Sequence, residues 1–197
     1  MVINTVVINT GVINTGVINT GVITSEIADE PNKRIFTVLE SVLDPEVPAI
    51  SIVDLGIVRA AEFKNGTAIV TITPTYSGCP AMHVIVENIK EALHAAGFEQ
   101  AEVITVLAPA WSTDWISPAG RERLRAYGIA PPQGNRDDTE NLIKIGGSKT
   151  IAKPPTIPCP YCDSRNTRLR SEFGPTACKA LYSCNACLQP FEYFKPL

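Results

Sequence analysis

"AAEFKNGTAIVTIT", residues 60–73, has a turn at its centre. Asn65-Gly66 is the pair that a two-residue β-turn favours, because both central residues of that turn take positive φ. Beyond it, Ala68, Val70 and Ile72 alternate with Thr67, Thr71 and Thr73, the period of a strand with one buried face. The near strand is expected over residues 57–63 and the return strand over 67–73. Upstream, Ile35, Val38, Leu39 and Val42 carry the i, i+3, i+4, i+7 spacing of a helix, with Asn32 as its cap and an end near Leu43. Pro45 and Pro48 bar its continuation. Downstream, Met82, Ile85, Val86, Ile89, Leu93 and Ala96 form one apolar stripe, so a helix is expected from about Pro80 to Ala96, ended by Gly97. "AEVITVL", 102–108, reads as a third strand. Ser117-Pro118 opens a short helix to Tyr127, ended by Gly128. The order α-β-β-α-β-α predicts an α+β fold, a small two-layer sandwich over residues 31–130.

The flanks differ in composition. Residues 1–30 hold a tandem repeat, MVINTV then VINTG, VINTG, VINTG and VITSE. Its five-residue period is too short to build a solenoid core, so it is expected to be a low-complexity extension, with an adhesive strand as the alternative. Residues 131–156 contain Pro131-Pro132, Gly146-Gly147 and Pro154-Pro155 and read as a linker. Residues 157–197 form a separate module. The whole chain has 197 residues and a net charge of −3, so no basic excess points to nucleic acid. The N-terminus lacks the basic start and continuous apolar run of a signal peptide, and Asn and Thr interrupt it too often for a membrane span. A cytoplasmic location is expected.

Five of the six cysteines lie in the C-terminal module. CPYC (159–162) and CNAC (184–187) are two Cys-x-x-Cys knuckles, and four thiolates so placed make a tetrahedral site for Zn²⁺. Iron fits the same sulfur donors. A module this small needs such a staple to fold. Cys178, between the knuckles, reads either as a small half-buried residue or as a spare ligand or transfer thiol. Tyr182, Phe191, Tyr193 and Phe194 read as strand side chains covering the metal site, or as a platform for stacking bases.

Cys79 stands apart, in "YSGCPAMHV", 76–84. It precedes Pro80, a favoured first helical residue, and so is placed at or near a helix N-cap. The free amides and dipole there would stabilise a thiolate. His83 follows one turn on, as a base, a ligand or, more commonly, an exposed polar residue. Asp44 and Glu46 flank a proline in "DPEVP", 44–48. They read either as solvated carboxylates in a turn or as acidic groups beside Cys79. From the residues alone, Cys79 is as easily a packing residue as a working thiol. There is no hydrolase triad, Walker A loop or G-x-G-x-x-G.

"LDPEVPAISIVDLGIVR", "TITPTYSGCPAM" and "VLAPAWSTDWIS" occur in that order, and together they closely resemble the MIP18-like family of iron–sulfur assembly factors over residues 33–130. With the ribbon and its "FGPTACKALYSC…PFEYFK", the chain resembles the PaaD family of accessory proteins of aerobic phenylacetate degradation, over nearly all of 33–197. That resemblance implies a factor that helps install or repair a metal centre of the multicomponent phenylacetyl-CoA epoxidase, which has a diiron oxygenase component and a reductase with flavin and a [2Fe–2S] cluster. It makes Cys79 the reactive cysteine and matches Asp44 and Glu46 to the acidic motif. The implied partners are the epoxidase components and iron–sulfur carriers, with homodimerisation during transfer; no membrane partner is expected. The chain is expected not to be an enzyme in its own right. The rival readings are a structural subunit of the epoxidase, a zinc-ribbon nucleic-acid binder and a stand-alone thiol enzyme. The VINTG extension has no counterpart in the family.

Overall fold

In the computed structural model, which describes residues 6–7, 30–133 and 156–196, the hairpin forms where the sequence places it. β2 (Val58–Lys64) and β3 (Thr67–Ile72) pair antiparallel around Asn65 (φ 51°) and Gly66 (φ 83°). α2 (Met82–Ala95) then carries the chain to β4 (Gln100–Thr105), which lies parallel to β3. The third strand, expected to run to residue 108, stops at Thr105, which pairs with Ile72, the last residue of β3; Val106 N–H makes a last bond to Ile72 O at 2.9 Å. α1 (Glu30–Glu40) packs on β2 and on α2. Ile35 and Leu39 of α1, Ile85, Ile89 and Leu93 of α2, and Ala68, Val70 and Ile72 of β3 are all fully buried. They form the core between the two layers, each larger side chain contributing about 1.5–3 kcal/mol.

Asn32 does not cap α1. It lies in the first turn, is buried, and its Oδ1 accepts the Phe63 N–H at 2.6 Å. The helix therefore starts three residues earlier than expected, and Asn32 ties it to the strand. A further strand, β1 (Val6–Val7), lies antiparallel against β2, giving the sheet order β1-β2-β3-β4. The rest of the repeat lies outside the described residues.

The chain divides into two compact units, Met1–Gly120 and Arg121–Leu197. The division falls within α3 (Pro118–Ala126), ahead of the boundary at residue 130 that the sequence suggests. The reason is β5 (Ile129–Ala130), whose partner is a ribbon strand. The second sheet runs β5-β8-β7-β6, with β6 (Thr167–Ser171), β7 (Lys179–Cys184) and β8 (Pro190–Phe194) antiparallel and β5 parallel to β8. Ala130, Ile157, Ala180, Tyr182, Phe191 and Tyr193 cluster in its core with Cys159 and Cys184. Tyr182 stacks on Phe191 (5.8 Å between centroids) and meets Tyr193 edge-on (5.7 Å). With Phe194 also buried, this aromatic set is core and does not offer faces for bases to stack on. The expected linker lies outside the described residues over 134–155.

Deleting residues 1–28 removes the two-residue edge strand β1 and none of the residues described as buried. The truncated chain is expected to melt within a few degrees of the full one, whereas Ile89→Ala should destabilise the first unit by about 2–5 kcal/mol. Thermal denaturation of both variants checks the pair of outcomes.

Candidate functional site

The four knuckle cysteines converge. Cys159 Sγ lies 3.7 Å from Cys187 Sγ, Cys162 Sγ lies 3.6 Å from Cys184 Sγ, and all four sulfurs fall within 4.8 Å of one another. A regular tetrahedron with zinc–sulfur bonds of about 2.3 Å has edges of about 3.8 Å, so the donor set fits Zn²⁺. Local backbone geometry places each pair. Asp163 (φ 60°) and Leu188 (φ 64°) take the left-handed conformation just after each knuckle. The amides of Ala186 and Cys187 point at Cys184 Sγ, at 3.4 and 3.5 Å. Asn185 bonds Asn166 through backbone (2.8 Å) and side chain (2.9 Å) and so ties the second knuckle to the loop after the first.

These contacts divide the thiols. The Cys187 amide, helped by that of Ala186, lowers the Cys184 thiol to about 6 despite its burial. Cys162 is pushed up to about 12: a hydrogen bond from the Ser164 amide lowers it, but loss of water and the neighbouring thiols of Cys187, Cys184 and Cys159 outweigh that bond. Burial raises Cys159. A divalent cation held by Cys159, Cys162, Cys184 and Cys187 would resolve the competition, because it would take all four as thiolates. Cys178 does not join them. It is buried just before β7, with its sulfur 3.1 Å from Thr176 Oγ1. Six residues of extended chain, about 20 Å, separate it from Cys184.

In the first unit, β3 and β4 are parallel and β2 antiparallel to β3, so the ends of β3 and β4 and the start of β2 share one end of the sheet. Three segments run to or from that end: the loops that leave β3 and β4, and the chain that carries the acidic motif into β2. The first leaves β3 through Thr73, whose amide bonds Ile57 O at 2.9 Å, and turns at Cys79, whose amide bonds Tyr76 O at 3.1 Å. Cys79 is half-buried and is not the N-cap. That position is Ala81, and α2 begins at Met82 with no side-chain cap. Met82 N–H bonds Cys79 O, at 3.4 Å, so the turn runs directly into the helix. His83 is exposed.

The second loop holds the acidic motif. Asp44 is buried, and its Oδ1 accepts the amides of Glu46 (2.9 Å) and Val47 (2.8 Å), so this carboxylate shapes its own turn. Glu46 is half-buried. The third loop, after β4, is locked to residues 54–56. Trp111 Nε1 donates to Leu55 O at 3.1 Å. Ser117 N–H donates to Asp54 O (2.8 Å), and its hydroxyl donates to Asp54 Oδ1 (2.5 Å) while accepting from Gly120 N–H. Trp115 lies over Gly56 (φ 76°), where any Cβ would stand 2.6 Å from Trp115 atoms.

Two features here have no sequence signal beyond membership of a motif. A bulge between Val58 and Ala60 takes Arg59 out of the strand alternation, and its guanidinium lies 3.3 Å from the Trp115 ring centroid. Burial lowers its pKa, and among the described residues it has no carboxylate partner. Thr73 Oγ1 is buried without a hydrogen-bond partner among the described residues.

Gly56→Ala should lower the melting temperature of the first unit by an amount equivalent to at least about 2 kcal/mol, because it adds both a disfavoured φ and a clash with Trp115. Gly66→Ala, which takes a similar φ with nothing within 4 Å, isolates the backbone part for comparison by thermal denaturation.

Comparison with known proteins divides the chain along the same lines. Residues 32–106 match the iron-sulfur cluster assembly protein family, and residues 144–195 match the PaaD zinc beta ribbon domain. A protein of Escherichia coli (strain K12), named as a subunit of 1,2-phenylacetyl-CoA epoxidase, is 45% identical over 161 residues, covering 82% of this chain and 90% of its own. The Fe-S protein maturation auxiliary factor YitW of Bacillus subtilis (strain 168) is 36% identical over 87 residues, 43% of this chain and 84% of its own. A solved domain of unknown function, DUF59, from Bacillus anthracis is 32% identical over 47% of this chain and 90% of its own, with a TM-score of 0.44. The ribbon, the assembly-type domain and the long match to the Escherichia coli protein all agree: the chain belongs to the PaaD family, in which an iron–sulfur assembly domain is joined to a four-cysteine zinc ribbon.

Proposed function

We propose that this protein is an accessory factor, not a metabolic enzyme, for maturing a metal centre of the phenylacetyl-CoA epoxidase. The observation that carries the reading is the 45% identity to the Escherichia coli protein across an assembly-type domain and a ribbon together. Two shorter relatives named as Fe-S maturation auxiliary factors support the assembly role of the first domain. Cys79 is the working thiol. It is half-buried in a turn that leaves β3 at the end of the sheet where the loop after β4 is locked to residues 54–56, and a thiolate there is a soft ligand and nucleophile. One cysteine cannot complete the coordination of iron or of a cluster, so the remaining ligands come from a carrier, a client or a second copy of the chain. Asp44 contributes by shaping its own turn, in which Glu46 is the second acidic group. Iron or an iron–sulfur cluster is cargo in this scheme. The resident ion is Zn²⁺, held by Cys159, Cys162, Cys184 and Cys187. It supplies the cross-link that fixes the ribbon, which in turn recognises the client. The protein works in the cytoplasm; among the described residues no helix is long and apolar enough to cross a membrane.

The word "subunit" in the name of the Escherichia coli relative favours a second reading, a stoichiometric component of the epoxidase that moves no metal. Co-purification at a fixed ratio with a full metal complement in its absence would select that reading.

Cys79→Ser separates the two. Serine is close in size, so the purified variant should melt within a few degrees of the wild type, while phenylacetyl-CoA epoxidation should collapse in cells carrying it as the only copy. Iron and sulfide analysis of the epoxidase from those cells should show the deficit. Normal epoxidation would remove the transfer role from Cys79; loss confined to a parallel Cys178→Ser variant would move the chemistry to the ribbon. For the resident ion, Cys184→Ser should drop bound zinc from one equivalent per chain to near zero and loosen residues 156–196, leaving the melt of the first unit intact. Metal analysis of the purified variant is the check, and an undiminished zinc content would reject the ligand set.

A further inference from the structure

The N-terminal repeat is a motif that the proposed function leaves without a task, yet part of it is paired. Val6 lies opposite Ala61 and Val7 opposite Ala60. In an antiparallel strand, the N–H and C=O of one residue point to the same side and successive residues alternate. Phe63 donates its N–H to Asn32 Oδ1, so Phe63 turns its backbone away from β3. Ala61, two residues earlier, turns the same way. Closer to the start of β2, the bulge between Val58 and Ala60 breaks the alternation. The outer edge of β2 is thus covered by α1 at Phe63 and irregular near Arg59. Between them lies a short stretch of open backbone, and β1 fits its length.

The sequence gives a reason for this stretch of the repeat to pair. The Val-Ile pairs at 12–13, 17–18 and 22–23 each follow a glycine, whereas Val7-Ile8 follows Val6. Three β-branched residues in a row favour extended backbone, and glycine at the same place weakens it. An unpaired edge is a template for strands of other chains, and a tethered strand meets it at an effective concentration on the order of millimolar.

We propose that the outer edge of β2 is a strand-docking site and that Val6–Val7 is its built-in occupant. Any extended, uncharged, β-branched segment of another chain has to displace Val6–Val7 to take that edge. The proposal does not depend on the epoxidase reading.

The test uses the full chain with Val6→Pro and Val7→Pro, since proline cannot donate to a ladder. Hydrogen exchange at the Ala61 amide should accelerate at least about tenfold, while Val70 in the inner strand β3 stays unchanged. A matched Val12→Pro, Ile13→Pro chain should exchange like the wild type. A synthetic peptide of residues 1–10 at several millimolar should restore protection at Ala61 in the Val6→Pro, Val7→Pro chain, and the same peptide with proline at both positions should not. Unchanged exchange at Ala61, equal acceleration in the 12–13 variant, acceleration shared by Val70, or failure of the peptide to restore protection would each overturn the proposal.

Discussion

Trp115 occupies the space that any side chain at position 56 would need. Much of the candidate site of the first unit follows from that exclusion. Gly56 holds a positive φ, so the chain can turn sharply between the acidic loop and β2, and Trp115 settles directly on its backbone. Trp111 and Ser117 fasten the same two segments on either side, through Leu55 O and Asp54. Loops are normally the mobile part of a domain. Here two loops that leave the sheet at one end are joined by two tryptophans and a glycine, and the Cys79 turn leaves β3 at that end. The aromatic face that receives Arg59 comes from the same lock.

The ribbon solves a different problem. Its buried apolar set is small, and Tyr182, Phe191 and Tyr193 supply most of its bulk. A module of this size gains its remaining stability from cross-linking. Two left-handed residues, the amides directed at Cys184 and the Asn166–Asn185 pair bring four sulfurs to tetrahedral spacing. Four thiols at that spacing cannot all ionise unless a cation shares their charge, and the opposed shifts of Cys184 and Cys162 express the same conflict in proton terms.

Where a property depends on local periodicity, the sequence shows it plainly. Asn65-Gly66 marks the hairpin, the stripe from Ile85 to Leu93 marks α2, and the two Cys-x-x-Cys knuckles mark the ribbon. What depends on long-range partners is not visible in that way. Asn32 looks like a cap because caps are the commonest use of asparagine ahead of an apolar stripe, but its acceptor serves a strand 31 residues away. Ile129-Ala130 has no signal of its own, because two residues become a strand only when β8 lies beside them. Val6–Val7 depends in the same way on an edge with the right gap. Arg59 is hidden by a bulge, which changes where a side chain points without changing any pattern along the chain.

The chain sets its cysteines in different arrangements, four together in the ribbon and Cys79 outside that cluster, and the difference limits what each can do. A closed four-thiolate site has no open position, so it holds its ion and gives nothing away. Cys79 has the opposite character: a single soft donor in a half-buried turn can bind and release, but cannot retain a metal centre unaided. Retention and release require different numbers of ligands, and one protein that must be stable and also hand over cargo has reason to keep them on separate structures. Under the proposed function, the ligands that Cys79 itself does not supply would be the point of control: cargo would stay only while a second molecule completes the coordination sphere, and would leave with whichever molecule supplies the larger share of donors. Transfer would then run toward a client that offers a full ligand set, with its direction set by coordination number rather than by any energy-consuming step.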